Sequence, residues 1–241
     1  MTKRTLRKTL AVAAAMTVTA LVAPQPALAG YSDTGSLKMT GYAYPPALGF
    51  AITGHSSVGA GGFNASYDPS GPMAAASFVA YCIDLVQSFN WNTAFTVTET
   101  DPNSLFGGFK AGALDRLYTQ HFAAANTQTL SAAFQLAVWE IVTETTAATY
   151  AALDLDTGSF RATAGSSTAR TTADNWLQAL GAGASGGYKL TALVGPNNQD
   201  QMMATPVAEP ETYAMLLAGL GLMGFVARRR RANRTVLNLG A

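Results

Sequence analysis

The chain has 241 residues, 49% of them hydrophobic and only 12% charged, with a formal net charge of +1. That neutrality hides an uneven distribution: nine of the fifteen Lys and Arg lie at the two ends, and residues 30–205 hold six cations against twelve acids. A body near −6 excludes nucleic acid as a partner, since binding it needs phosphate-neutralising cations, and it excludes peripheral attachment to anionic lipid.

Lys3, Arg4, Arg7 and Lys8 open the chain, followed by an uncharged apolar stretch from Leu10 to Ala23, the breaker Pro24-Gln25-Pro26, and the small-x-small site Ala27-Leu28-Ala29. This is the layout of a secretory signal peptide over residues 1–29, with the mature chain expected to begin at Gly30. An uncleaved anchor helix fits neither the length nor the cleavage site.

Residues 30–205 are enough for one domain with its own core, and neither a fixed-period repeat nor a long linker divides them. Leu37 to Tyr44 and Leu48 to Ile52 are predicted strands on either side of Pro45-Pro46. Gly54 to Gly62 is predicted as a flexible loop, and Tyr67 to Pro72 as a turn. Ser77 to Val86, rich in β-branched and aromatic residues, is the strongest predicted strand, with Cys82 near its centre. Thr93 to Thr100 alternates, with Phe95, Val97 and Glu99 on one face.

The period then becomes helical. Ala111 to Phe122 places Leu114, Leu117, Tyr118 and His121 at helical spacing. Ser131 to Glu144 is a second helix, with Thr129 or Ser131 as its cap. Phe134, Val138 and Ile141 share one face, and Gln135, Trp139 and Val142 an adjacent one. Ala133, Ala137, Glu140 and Glu144 are expected at the exposed edge. Asp174 to Leu180 is a short third helix, Gly181 to Gly187 a loop, and Tyr188 to Val194 a final strand. The order β, α, β predicts an α+β fold, an antiparallel β-rich domain with an inserted helical part.

The C-terminal end, residues 206–234, has three pieces in fixed order: the turn Ala208-Glu209-Pro210-Glu211, an apolar run from 213 to 227, and the basic block Arg228, Arg229, Arg230, Arg231 and Arg234. Pro210 holds extended or turn backbone before the run. The run is rich in Ala, Leu, Met and Gly, as membrane helices are, and the arginines hold their end in the cytoplasm. A full span takes about 20 residues. Tyr213 at one interface and snorkelling arginines at the other are expected to make 213–227 a transmembrane helix.

This order resembles the PEP-CTERM sorting signal of Gram-negative bacteria. Glu209, Pro210 and LLAGLGLMGFVARRRR match it, while Ala208 stands where that family has its first proline. The resemblance implies recognition and cleavage by an exosortase. It also implies a transient stay in the inner membrane, then a place at the cell surface or in the exopolysaccharide and biofilm matrix. An ordinary C-terminal anchor is the plainer alternative.

The lone cysteine of an exported chain needs an explanation, because a free thiol is open to oxidation outside the cell. Three stay open for Cys82: simple burial, pairing with another chain, or a bond within its own. For the last, Gln135 is the candidate partner, on a helix expected to be buried on two faces, where an unpartnered amide costs about 1–3 kcal/mol. A thiolate held against a glutamine carboxamide displaces ammonia and leaves a thioester, removing both awkward groups.

YCIDL around Cys82 and FQLAVWEI around Gln135 resemble the Cys-Gln internal thioester domains of bacterial surface adhesins. Gln135, Ala137 and Trp139 match the second motif, and Phe134 stands where the family has threonine. The likeness covers residues 77–142. It implies a mixed domain that acylates an amine on its target. If the bond forms, Cys82 supplies the sulfur, Gln135 the acyl carbon, and Tyr81, Phe134 and Trp139 are expected to exclude water; no cofactor is expected.

The remaining candidates are weaker. His55 is expected to be solvated. His121 is a general-base candidate for a Cys82 hydrolase, but no orienting group or oxyanion site is marked. Asp154, Asp156 and Gly158 in LDLDTG are similar to a short Ca²⁺ loop but lack its later acidic ligand, and read as a polar turn. No metal-ligand spacing occurs. The expectation is a non-enzymatic exported surface or matrix protein that joins an amine-bearing surface or extracellular polysaccharide. A non-reactive matrix component and a cysteine hydrolase are the alternatives.

Overall fold

The computed structural model describes residues 33–70, 75–207 and 216–225. The signal-peptide reading of 1–29, the Glu209-Pro210 turn and the Arg228 to Arg231 block lie outside the described residues.

Six strands close an antiparallel barrel: β1 (Thr34–Tyr42), β4 (Phe63–Pro69), β5 (Ala76–Cys82), β9 (Gln201–Pro206), β8 (Tyr188–Val194) and β6 (Phe95–Thr100), in that order around it. A second sheet has the order β3 (His55–Ala60), β2 (Leu48–Ile52), β7 (Ala162–Ala164). The helices α1 (Pro102–Phe106), α2 (Gly108–His121), α3 (Gln128–Thr143) and α4 (Ser167–Ala179) lie between β6 and β8 in the chain. The antiparallel, β-rich domain with a helical insertion is therefore observed.

Alternation builds the barrel. Leu37 and Met39 of β1, Phe63, Ala65 and Tyr67 of β4, and Val97 and Glu99 of β6 are buried, with more exposed polar side chains between them. Glycine is required at position 35 of β1, because a Cβ there would lie 2.3 Å from the Tyr67 ring.

Several elements differ from expectation. The expected loop at 54–62 is mostly strand: Gly54, at φ +80°, turns the chain and β3 pairs with β2. Its Gly and Ser content concealed a hairpin. β4 occupies part of the expected turn at 67–72, and β9 had no strong apolar signal. β5 stops at Cys82, so the cysteine is the strand's last residue rather than its centre. Helix α3 is capped by Thr127, whose side chain accepts the Leu130 N–H at 3.3 Å, not by Thr129 or Ser131.

The expected exposed edge of α3 is absent. Ala133, Ala137, Glu140 and Glu144 are all buried, because α3 packs against α4, α2, β2, β3 and β5 at once. The small side chains Ala169 and Ala173 of α4 are themselves fully buried beside it. Residues 216–225 form a fifth helix, α5, which is exposed along its length. Among the described residues no helix is long and apolar enough to cross a membrane, so the transmembrane helix expected over 213–227 is not found there.

Candidate functional site

The site forms where the end of β5 meets one stripe of α3. Ser131, Gln135 and Trp139 are four residues apart and therefore lie one above another on the helix. Each presents polar atoms to the barrel. Ser131 Oγ accepts the Gly62 N–H at 2.8 Å and shares a hydrogen with Tyr81 Oη at 3.0 Å. Gln135 meets Cys82 twice: its Oε1 accepts the Cys82 backbone N–H at 3.0 Å, and its Nε2 donates to the Cys82 carbonyl at 2.8 Å. Cys82 and Gln135 are both fully buried. The structure thus brings the two thioester candidates into contact.

Beyond Cys82 the chain turns. Ile83 N donates to the Asp200 carbonyl at 3.0 Å. The Asp84 carboxylate accepts the Val86 and Gln87 N–H groups at 2.7 and 3.2 Å, which fixes the turn. The Asp84 carbonyl then receives the Cys82 thiol at 2.7 Å and Gln199 Nε2 at 3.1 Å. Burial pushes the Cys82 pKa up to about 12, opposed by the Trp139 side chain and the hydrogen bond to Asp84 and assisted by the charges of Asp84 and Asp200. Burial, then the Asp84 charge, pushes Asp200 up to about 6, against a lowering hydrogen bond from Gly195 N–H. At neutral pH the resting sulfur is a thiol.

A cavity of about 230 Å³ reaches Cys82. Tyr42, Phe63, Phe89, Trp91 and Trp139 form much of its wall, and among the described residues no charged side chain lines it. The first four pack edge to face or tilted, with ring centroids from 4.8 Å (Phe89–Trp91) to 5.6 Å (Phe63–Trp91). Sequence reasoning passed over this rim and the Asp84 turn. The available signal was the aspartate two residues after the cysteine, with Phe89 and Trp91 closely following.

The other candidates fall elsewhere. Tyr81 and Phe134 pack at 4.6 Å in an aromatic cluster with Tyr118 and Phe122. Neither lines the Cys82 cavity, whereas Trp139 does. His121 stacks on Trp176 of α4, with centroids 4.7 Å apart, and burial lowers its pKa. It does not line the cavity. His55 is exposed at the start of β3 rather than in a loop. The Asp154 carboxylate accepts from Asp156 N, Thr157 N and Thr157 Oγ1, which makes LDLDTG a polar turn.

Two carboxylates near the end of α3 are driven apart. Burial, then the charges of Glu144, Asp154 and Asp174, pushes Glu140 up to about 9, against the lowering bond from Asp154 N–H. Among the described residues its Oε2 has no hydrogen-bond partner. Burial also pushes Glu144 upward, but hydrogen bonds from Thr146, Ser159 and Phe160 outweigh it and hold the group at about 2.

The PEP-CTERM protein-sorting motif matches residues 206–231. The chain carries that sorting signal, which implies export and sorting at the membrane. No curated protein matches the chain. Among solved structures, the chain is similar to the N-terminal thioester domain of a surface protein from Clostridium perfringens, in a cysteine-to-alanine mutant. Sequence identity is 14% and the TM-score 0.41, over 60% of this chain and 89% of that one.

Proposed function

We propose that Cys82 and Gln135 condense to an internal thioester, through which the exported domain joins covalently to an amine on an extracellular surface or matrix. The observation that carries this reading is the hold of the Cys82 backbone on both polar atoms of the Gln135 carboxamide, at 3.0 and 2.8 Å. That hold fixes the carboxamide against the residue that carries the chain's one thiol, with both residues fully buried, and reactants held together in this way gain several powers of ten in effective concentration.

In the first step Cys82 Sγ attacks Cδ of Gln135. The S–C bond forms and the carbonyl oxygen gains negative charge, and the Cys82 N–H is already directed at that oxygen. The C–N bond then breaks, the thiol proton passes to the departing nitrogen, and ammonia leaves. In the second step an amine entering through the cavity attacks the same carbon. The C–S bond breaks, an amide forms, and the amine's proton returns to sulfur. The product stays attached to the domain, so the event is stoichiometric and the protein is not an enzyme.

The tail supplies the location. The sorting motif supports processing by an exosortase and a brief inner-membrane stage, followed by the cell surface or the exopolysaccharide matrix. The intact mass of the purified mature domain tests the bond. A deficit of one ammonia, absent in Cys82→Ala and in Gln135→Ala, is the expected result. Full mass with prompt thiol labelling selects a second reading, a non-reactive matrix component in which Gln135 only ties α3 to β5. The strongly raised thiol pKa favours that reading.

A further inference from the structure

We infer that the Trp139 indole N–H is the donor that holds the Cys82 sulfur as a thiolate, both when the acyl bond is made and when it is broken. The inference rests on the acyl chemistry proposed above. It assigns Trp139 a catalytic contact where the sequence suggested only a water shield.

Three observations converge. The first is position: Trp139 is one helical turn beyond Gln135 on the same stripe of α3, and its side chain lines the cavity that reaches Cys82. The second is an unused donor. Trp139 is 2% exposed, and among the described residues its buried Nε1 makes no hydrogen bond in the resting site, although it stands near enough to Cys82 to favour the ionised sulfur. Buried N–H groups are nearly always paired, so one left open at a reacting sulfur needs a reason. The third is the shortage of other help. Among the described residues the cavity wall holds no lysine, arginine or histidine, the groups that usually stabilise a thiolate. The nearby Asp84 and Asp200 charges oppose its ionisation.

The resting state explains why the donor is idle. The thiol gives its proton to the Asp84 carbonyl, and neutral sulfur is a weak acceptor. As the Sγ proton passes to the Gln135 nitrogen in the attack on Cδ, negative charge develops on sulfur and the indole N–H engages it. When an amine later attacks Cδ, the C–S electron pair moves onto Sγ and meets the same donor until the amine's proton arrives. A contact that strengthens only as charge develops accelerates the step rather than merely stabilising the fold.

The test replaces Trp139 in the mature domain with its benzothienyl isostere, which substitutes sulfur for the N–H and keeps the shape. Trp139→Phe is a second variant. One arm follows methylamine capture by intact mass. The other measures iodoacetamide alkylation of Cys82 against pH in a Gln135→Ala background, where no thioester can form. The isostere is expected to slow both by about tenfold or more, the worth of a hydrogen bond to a charged group, with an unchanged melting temperature. Unchanged or faster rates in both arms mean that Trp139 is only a shield and overturn the inference. Full mass in the unmodified domain overturns the acyl reading and Trp139's part in it. The alkylation arm still reports separately whether the N–H holds the thiolate.

Discussion

Gln135 meets the main chain of Cys82 as a neighbouring strand would, taking its N–H at 3.0 Å and returning one to its carbonyl at 2.8 Å. The β4–β5 ladder ends with Phe63 opposite Ala80, so nothing from β4 pairs with Cys82. The side chain of α3 fills the missing rung.

This predicts a stability effect separate from any acyl bond. Gln135→Ala strands a buried N–H and a buried carbonyl, and is expected to cost about 2–4 kcal/mol in urea unfolding of the reduced domain. A cost near zero would mean that water replaces the amide and that the clamp is loose.

A second pair of substitutions probes the upper end of the stripe. Ser131→Ala removes the partner of Gly62 N and of Tyr81 Oη, both buried, at an expected cost of about 1–3 kcal/mol. Gly62→Ala should cost a similar amount by a different route. Its Cβ would lie 2.7 Å from Val79 Cγ1 and 3.0 Å from Tyr81 Cζ, and overpacking of this kind costs about 1–3 kcal/mol. Both variants should also form less ammonia-deficient protein, since both disturb the seating of α3 on β5.

Glu140 makes stability depend on pH. Its pKa is about 9 in the folded chain against an ordinary 4.5, so between these values the native state keeps a proton that the unfolded chain has lost. Stability therefore falls as pH rises through that window. Glu144, held at about 2, acts oppositely: its contribution is present above 4.5 and is lost as pH falls toward 2. Glu140→Gln keeps an acceptor for Asp154 N–H and removes the titration. Its melting temperature should gain on the parent by at least about 3 °C between pH 5 and pH 9. A difference that stays constant over that range would show that Glu140 ionises freely.

Truncation tests the role of the last strand. A chain ending after Val207 keeps every barrel strand and should melt as the longer mature chain does. One ending before Gln201 loses β9 and should not fold cooperatively by circular dichroism.

The sequence shows some of this clearly and some not at all. Phe95, Val97 and Glu99 alternate on a half-buried strand, and Tyr188 to Val194 is a strand with those same ends. Local period was enough there. It failed for α3, where Ala133, Ala137, Glu140 and Glu144 look like a solvent face because small and acidic side chains usually are. Their burial comes from elements distant in sequence, among them α4 and the 154–160 segment whose N–H groups meet Glu140 and Glu144. It failed again for β3, whose Gly and Ser pair as well as other residues once β2 lies alongside. The Cys82–Gln135 contact was visible only through two short motifs. The aromatic rim was not visible, because Tyr42, Phe63, Phe89 and Trp91 are brought together by the barrel's closure.

That closure also sets a schedule. β9 lies between β5 and β8, and its neighbourhood supplies the Asp200 carbonyl to Ile83, Gln201 opposite Cys82, and Gln199 to the cavity wall. These residues come last in the domain, immediately before the sorting motif at 206–231. A chain leaving the cell N-terminus first delivers its sulfur long before the strand that finishes the chamber around it. The coupling chemistry proposed for Cys82 and Gln135 would thus stay disarmed through most of transit and become competent only as the final strand arrives, just ahead of the sorting motif.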